Sequence, residues 1–213
     1  MSIITPLFLG FITSLVGVFP PGLINMTAAK ISTQDGKNRA LLFTAGALVV
    51  VFFQTLVALI FARYIAKHQE IVILLREIGF GIFAILTIYF LWIAKEPQKK
   101  EQKEFKIKSK KSRFFLGMFI SVINFLPIPY YVFASVGLAS FGCFTFNINS
   151  ICSFVVGVVF GSLLVFYSYI SFFKKIEAKT DFLVKNMNTI IGSITGFIAI
   201  LALYHVLKYY FKL

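Results

Sequence analysis

Residues 17–25 read Gly-Val-Phe-Pro-Pro-Gly-Leu-Ile-Asn and lie inside a stretch, Ser2 to Ala29, that contains no Asp, Glu, Lys or Arg. The stretch is long enough to cross the hydrocarbon core of a membrane, which takes about 20 helical residues. A proline inside a helix removes a backbone hydrogen bond and clashes with the carbonyl four residues earlier, so Pro20-Pro21-Gly22 is predicted to break the helix. Backbone groups freed at membrane depth must be satisfied by protein or by a water-filled cavity.

The composition of the whole chain also indicates a lipid environment. Of its 213 residues, 59% are apolar and 14% are charged, and the mean hydropathy is +0.88, which a water-exposed surface could hardly sustain. The sequence lacks the alternation of apolar and polar residues that is typical of strands. A chain exposed to lipid must hydrogen-bond its own backbone groups, so the apolar stretches are predicted to be helices. The six predicted transmembrane helices are about 4–30, 40–62, 72–94, 113–140, 150–173 and 187–210.

A basic segment divides the six spans into two sets of three. Residues 95–112 are predicted to be a cytoplasmic linker between a first repeat, 1–94, and a second repeat, 113–213. An odd number of spans in each half places the second half upside down, as in many secondary transporters. The predicted fold is therefore an all-α integral membrane protein with six transmembrane helices in two inverted three-helix repeats, its first and fourth helices broken at Pro/Gly/Asn motifs.

The fourth span repeats the break of the first. Residues 124–131 read Asn-Phe-Leu-Pro-Ile-Pro-Tyr-Tyr, so Pro127 and Pro129 again interrupt a helix. Proline kinks that only shape packing are common in membrane helices, but two breaks at matching points favour a central substrate site. Asn25 and Asn124 lie at these breaks, and a buried amide needs partners. Each of them either caps a broken half-helix or contacts the substrate.

The distribution of basic residues predicts the orientation. Three Lys or Arg lie in the first loop, nine in residues 95–113 and four in the fifth loop, against five on the other side. Because basic residues accumulate on the cytoplasmic side, both termini are predicted to lie outside the cell (inner) membrane. The basic face is expected to attract anionic lipid headgroups, which accounts for the net charge of +13 without nucleic-acid binding.

These motifs resemble the lysine exporter (LysE/RhtB) superfamily of amino-acid efflux proteins. That family has six helices in two inverted halves, a Pro-Gly motif in the first helix, glycines through the next loop and helix, and an Asn-Pro motif in the fourth helix. Pro21-Gly22, Gly36, Ala40 and Gly46 match the first-half pattern, and residues 78–92 look like the third helix of the family. The resemblance implies a secondary exporter that works by alternating access.

Two departures from the family pattern bear on the substrate. Phe125 stands where a proline is expected after Asn124, so the geometry of the second break is not given by the resemblance. Exporters of basic amino acids in this family tend to carry an acidic residue in the second helix, whereas Ala40 to Ala62 holds only Gln54 as a strongly polar side chain. A buried cationic group would lack a counter-charge, so we predict a neutral or zwitterionic amino acid.

The predicted substrate-binding residues lie at or beside the breaks, apart from Gln54, which is the strongly polar side chain of the second span. They are Pro20, Pro21, Gly22, Asn25, Gln54, Asn124, Pro127, Pro129 and Tyr130. One alternative is a non-transporting membrane scaffold or assembly subunit. Another is an ion or metal exporter of the same superfamily, which the lack of carboxylate, His or paired thiol ligands in the spans disfavours.

Other motifs favour structural roles, and none predicts an enzyme, a metal site or a cofactor, because zinc-protease, nucleophile-elbow and phosphate-loop patterns are absent. Asp35 is interpreted as a turn residue rather than a gate, and Glu77 as an interfacial residue. The small-residue motifs 157–161 and 192–196 predict close packing, within the fold or in a homodimer. Cys143 and Cys152 bracket a turn, so a disulfide or two free thiols are the alternatives.

The orientation is tested by cysteine labelling in intact cells, with the two native cysteines replaced by serine. Glu104→Cys and Ala178→Cys are expected to resist a membrane-impermeant thiol reagent, because both positions lie in predicted cytoplasmic segments. Lys67→Cys and Asn147→Cys are expected to react. The reverse labelling pattern would overturn the orientation.

Overall fold

The computed structural model describes residues 3–94 and 110–211, and within those ranges the chain is helical with no strand. The predicted all-α class is thus confirmed. The helices are α1 (Ile4–Val18), α2 (Leu23–Asp35), α3 (Lys37–Ala66), α4 (Gln69–Ile88), α5 (Lys110–Ile123), α6 (Pro127–Ser140), α7 (Ile148–Lys185) and α8 (Met187–Phe211), and a π-helical turn, Tyr89–Ile93, follows α4. The predicted linker lies outside the described residues except for 110–112, which open α5.

Length and composition identify the membrane-crossing helices. Two helices, Lys37–Ala66 and Ile148–Phe172, are long and apolar enough to cross alone. Two bent pairs, α1 with α2 and α5 with α6, pass the same test as pairs, which gives up to four spans among the described residues. The chain is therefore a multi-pass membrane protein, and the count of six spans stays a prediction.

Both predicted helix breaks are present. The axes of α1 and α2 differ by 77° across the first break, where Pro20 and Pro21 lie between the two helices. The axes of α5 and α6 differ by 61° across the second break, which consists of residues 124–126. Pro127 is the first residue of α6 and does not lie in the gap. Proline is accepted there because the N–H of the first helical residue has no hydrogen-bond partner within the helix.

The predicted turn between the fourth and fifth spans is confirmed. Gly142 has φ of 72°, a left-handed conformation that suits glycine, and the Asn147 side chain caps α7 by accepting a 2.7 Å hydrogen bond from the Ser150 amide. Cys143 and Cys152 are free thiols in this structure.

The predicted end of the fifth span at residue 173 agrees with the apolar span Ile148–Phe172, but the segment predicted as the following loop is helical. The backbone stays helical to Lys185, with a kink at Phe172, where φ is −116° and ψ is 17°. No Gly or Pro occurs between Ser162 and Ile191, so this segment lacks the residues that most often end a helix. The basic residues of the predicted fifth loop therefore belong to a helical extension.

The chain divides into two compact units. Unit 1 comprises residues 1–64 and 105–176, and unit 2 comprises residues 65–104 and 177–213. Unit 1 holds both broken helices and the bulk of α3 and α7, whereas unit 2 holds α4, the π-helical turn and α8. Each unit contains helices from both predicted repeats. The boundaries of the repeats describe internal symmetry and stay a prediction.

In unit 1, glycines allow α1 and α7 to cross at a very short distance. A Cβ added at Gly10 would lie 2.2 Å from the carbonyl oxygen of Phe154, and one added at Gly157 would lie 2.0 Å from that of Leu7. Only glycine fits at such a distance, so the backbones of α1 and α7 are in direct contact.

The crossing of α3 and α5 has the same construction. A Cβ added at Gly46 would lie 2.0 Å from the carbonyl oxygen of Phe114, and one added at Gly117 would lie 1.9 Å from that of Phe43. In both crossings each glycine faces the carbonyl three positions before the partner glycine. The two crossings therefore repeat one packing motif in helices taken from opposite halves of the chain.

Unit 2 is held by small residues and hydroxyl groups between α4 and α8. Gly192 packs against Leu91, and Gly196 packs against Thr87, whose hydroxyl donates to the Thr195 hydroxyl at 3.1 Å. The predicted packing role of the small-residue motifs is confirmed within the fold. At one end Glu77 accepts a 2.6 Å hydrogen bond from the Tyr210 hydroxyl.

The glycine crossings are tested by a matched pair of alanine substitutions. Gly157→Ala is expected to lower the free energy of unfolding by about 1–3 kcal/mol, because the methyl group would overlap a backbone carbonyl. Gly137→Ala, on α6, meets nothing within 4 Å and is expected to be neutral or stabilising by up to about 1 kcal/mol. Thermal unfolding in detergent measures both, and equal effects would contradict the crossing.

Candidate functional site

The first break frees carbonyl groups that side chains then satisfy. The Asn25 side-chain amide donates to the carbonyls of Val18 and Pro20 at 2.6 and 2.9 Å. The Tyr169 hydroxyl, from α7, donates to the Phe19 carbonyl at 2.8 Å. Three carbonyls at the end of α1 thus receive hydrogen bonds without water, as a lipid environment requires.

Asn25 reaches these carbonyls because the break turns the chain back on itself. It lies in the first turn of α2 and is 3% exposed. Both of its bonds use the amide nitrogen, and turning the amide over would set its oxygen against two carbonyls, so the orientation follows from the bonds. The remaining oxygen, Asn25 Oδ1, is buried and has no hydrogen-bond partner.

The second break is satisfied in the same manner by an amide from another helix. The Gln54 side chain, on α3, donates to the carbonyls of Ser121 and Asn124, both at 3.0 Å. Gln54 is 8% exposed, and its Oε1 also has no partner. The structure therefore brings the predicted residue Gln54 to the second break, where it contacts the backbone of the predicted residue Asn124.

Each of the two breaks thus has a buried amide oxygen that accepts no hydrogen bond. A buried acceptor left without a donor costs about 1–3 kcal/mol, which a bound N–H or ammonium group would recover. The first turn of α2 adds the opposite capacity, because the first N–H groups of a helix have no intrahelical partner and attract negative charge. The breaks can therefore accept hydrogen bonds at the amide oxygens and donate them at a helix N-terminus.

Tyr130 connects the second broken helix to the first. Its hydroxyl donates to the Thr13 carbonyl at 2.8 Å, and its ring covers Gly17, where an added Cβ would lie 2.4 Å from the ring. Nearby, the buried hydroxyls of Ser14 and Ser162 are 2.8 Å apart. Tyr130 is therefore held in place between α6 and α1, and its predicted contact with substrate is not tested by this arrangement.

The remaining predicted residues line the breaks with different exposure. Pro20, Gly22 and Pro129 are exposed, whereas Pro21 and Pro127 are half-buried. A Cβ added at Gly22 would meet only the Pro20 carbonyl, at 3.8 Å, so there is open space beside this glycine. Gly22 is also the N-cap of α2, with an extended backbone that other residues adopt.

Sequence reasoning missed the hydrogen bonds that join α1 and its break to distant positions on α7. Tyr169 is 150 residues from the carbonyl that it satisfies, and Ser14 and Ser162 are 148 residues apart. Periodicity and local motifs carry no signal for such pairs. Only the crossing of α1 and α7 brings these residues together.

Charged side chains meet at the opposite end of α2. Asp35 pairs with Arg113 of α5, and it lies 3.7 Å from Arg39 of α3. Sequence reasoning interpreted Asp35 as a turn residue and missed both pairs. In the described part of the chain no group of three or more His, Cys, Asp or Glu side chains could hold a metal ion.

Apolar spans and two broken helices with buried polar groups at the breaks define a multi-pass membrane protein. The family model described as LysE type translocator matches residues 15–206. The chain belongs to this family, so the resemblance found in the sequence is confirmed, and the family is one of translocators rather than enzymes. No curated protein and no solved structure matches the chain.

The hydrogen bond across the first break is tested by two tyrosine substitutions on one helix. Tyr169→Phe is expected to destabilise the protein by about 1–3 kcal/mol, because the Phe19 carbonyl loses its donor in a buried setting. Tyr167→Phe, two positions earlier on α7 and 52% exposed, is the control and is expected to change little. Thermal unfolding in detergent compares them, and an equal loss would argue against the bond.

Proposed function

We propose that this LysE-type translocator exports a small neutral or zwitterionic metabolite, in the first place an amino acid, across the cell membrane. The observation that carries the proposal is the pair of helix breaks, each held by a buried amide whose oxygen has no partner. A purely structural break has no reason to retain a buried acceptor at that cost. A substrate with a hydrogen-bond donor would satisfy it.

The charge inventory supports a zwitterion rather than a cation. The sequence of unit 1 contains one acidic residue, Asp35, and its carboxylate is paired with arginine. An ammonium group would bind the amide oxygens of Asn25 and Gln54, and a carboxylate would bind the N–H groups that begin α2. A second positive charge on the substrate would find no carboxylate at the breaks.

Packing supports two inverted repeats of three helices. The order of elements is the same in both halves: a helix, a break, a second helix, a glycine with positive φ (Gly36 and Gly142), and a long helix. The reciprocal glycine crossings of α1 with α7 and of α5 with α3 are equivalent under this correspondence. Alternating access of the two halves around the breaks is the mechanism that such a repeat favours.

The basic residues support the predicted orientation in the cell membrane and contact with anionic lipid. The first loop and the linker would face the cytoplasm, where each well-placed Lys or Arg attracts anionic headgroups by about 1 kcal/mol. A homodimer is not needed to explain the small-residue motifs, because Gly157 and Gly192 pack within the chain.

The alternatives explain less of the molecule. A scaffold or assembly subunit would use the breaks only for packing, which leaves the two buried amide oxygens unexplained. An ion or metal exporter would require oxygen, imidazole or thiolate ligands in a cluster, and the described residues contain no such group of His, Cys, Asp or Glu.

The proposal is tested by counterflow in proteoliposomes with a panel of labelled amino acids. Saturable exchange of a neutral amino acid is expected, and Asn25→Leu, Asn124→Leu and Gly22→Leu are each expected to lower its rate at least tenfold, on the order of 1.4 kcal/mol. Asn149→Leu, an exposed amide on α7, is the control and is expected to retain the wild-type rate.

Protein level and monodispersity in detergent are measured for each variant, so that loss of folding is separated from loss of transport. If both the Asn25 and the Asn124 variants exchange a confirmed substrate at the wild-type rate and affinity, the site is not at the breaks. If no amino acid of the panel is exchanged by wild-type protein, the proposed substrate class is wrong.

A further inference from the structure

One carboxylate serves the whole of unit 1. Its sequence, residues 1–64 and 105–176, contains no Asp or Glu other than Asp35. Asp35 is the last residue of α2, the second part of the first broken helix. The only negative side chain in the unit therefore lies at the end of a helix that the first break sets at an angle to α1.

The carboxylate joins the two halves of the chain. Its partner Arg113 lies in the first turn of α5, which is the first part of the second broken helix, and the guanidinium Nη2 donates to Asp35 Oδ2. The side chains of Arg113 and Asp35 are 8% and 20% exposed, so the pair is mostly removed from solvent. Arg39 approaches the same carboxylate at 3.7 Å but is 36% exposed and belongs to the same half as Asp35.

The guanidinium of Arg113 is incompletely satisfied. Its Nε is buried and has no hydrogen-bond partner. A buried ion pair stabilises the folded protein only when all of its polar groups are hydrogen-bonded. Each buried donor without a partner has lost its bonds to water and lowers the stability. Separating α2 from α5 would expose Arg113 to water and recover that cost, so this pair is suited to opening.

Among the described residues of unit 1, no equivalent ion pair occurs at the opposite end, because the unit has no other acidic residue. Gly142, the counterpart of Gly36, lies in a turn, 141–147, that contains no charged residue, and the start of α1 contains none either. An ion pair between α2 and α5 therefore distinguishes one end of the unit from the other, which two inverted halves alone would not do.

We propose that the Asp35–Arg113 ion pair is a gate between α2 and α5, closed in this structure, on the side of the membrane that the basic loops mark as cytoplasmic. Separation of the two helices breaks the pair and admits solute from that side toward the second break. The gate acts on access and does not contact the bound substrate. This gate is independent of the identity of the substrate, and its test requires no substrate.

The test measures access to a cysteine beneath the gate. Ala28→Cys lies seven residues before Asp35 on α2, about 10 Å along the helix, at a position that is 0% exposed and belongs to one buried cluster with Leu116 and Ile120 of α5. The native cysteines are replaced by serine, and a charged thiol reagent is applied to inside-out and right-side-out vesicles. The initial rate of labelling is the readout.

Opening the gate is expected to expose the reporter cysteine from the cytoplasmic side. Asp35→Asn and Arg113→Gln are each expected to raise the labelling rate at least tenfold in inside-out vesicles and to leave it unchanged in right-side-out vesicles. Arg39→Gln, which removes the other arginine near the same carboxylate, is the matched control and is expected to stay within twofold of the intact pair. Arg113→Lys keeps the charge and is expected to give an intermediate rate.

Three outcomes overturn the gate. The first is an unchanged rate in folded Asp35→Asn and Arg113→Gln. The second is an equal rise in Arg39→Gln, which would indicate a general effect of charge. The third is failure of both neutral variants to insert while folded Arg113→Lys labels like the intact protein, which would identify a structural brace. None of these results depends on whether counterflow finds a substrate.

Discussion

The need to satisfy backbone carbonyl groups in lipid is the constraint on which the rest of this structure depends. Two helices stop partway through their spans, and the carbonyls freed there cannot turn to water. Asn25 and Gln54 supply the missing donors, each bonding two carbonyls with one amide nitrogen. Because both N–H groups of each amide are committed in this way, the amide oxygens are left buried without hydrogen-bond partners.

Close helix packing makes this arrangement stable. Tyr169 reaches the first break only because α7 lies directly against α1, and that contact requires glycine at positions 10 and 157. Gln54 reaches the second break because α3 lies against α5 through glycines 46 and 117. Backbone contact at the crossings and hydrogen bonding at the breaks are therefore parts of one construction, in which a substitution at a crossing also displaces a donor at a break.

Neutral and charged polar groups occupy different places in unit 1. The breaks use neutral amides, which satisfy backbone carbonyls without burying a permanent charge in the spans. The single carboxylate, Asp35, is kept at the end of α2 and paired with Arg113. In the proposed transporter, the groups that would recognise the substrate are therefore different from the group that would control its access.

The sequence by itself determined the membrane class, the helical structure and the positions of both breaks, because composition, charge-free length and proline chemistry are local properties. It also identified the family, since Pro21-Gly22 and the glycines after it are local motifs that the match over residues 15–206 bears out. It predicted the fifth span correctly but misjudged the segment after it, where charged residues indicated a loop but nothing in the chain ends the helix before Lys185.

Only the tertiary structure decided which side chains meet at the breaks and at the end of α2. Asn25 lies close in sequence to the carbonyls that it caps, so its capping role was one of two alternatives that the sequence left open. Gln54, Tyr169 and Arg113 lie 67 to 150 residues from their partners. Such pairs leave no local pattern, because the crossing of distant helices, and not the sequence around each residue, determines which groups come within hydrogen-bonding distance.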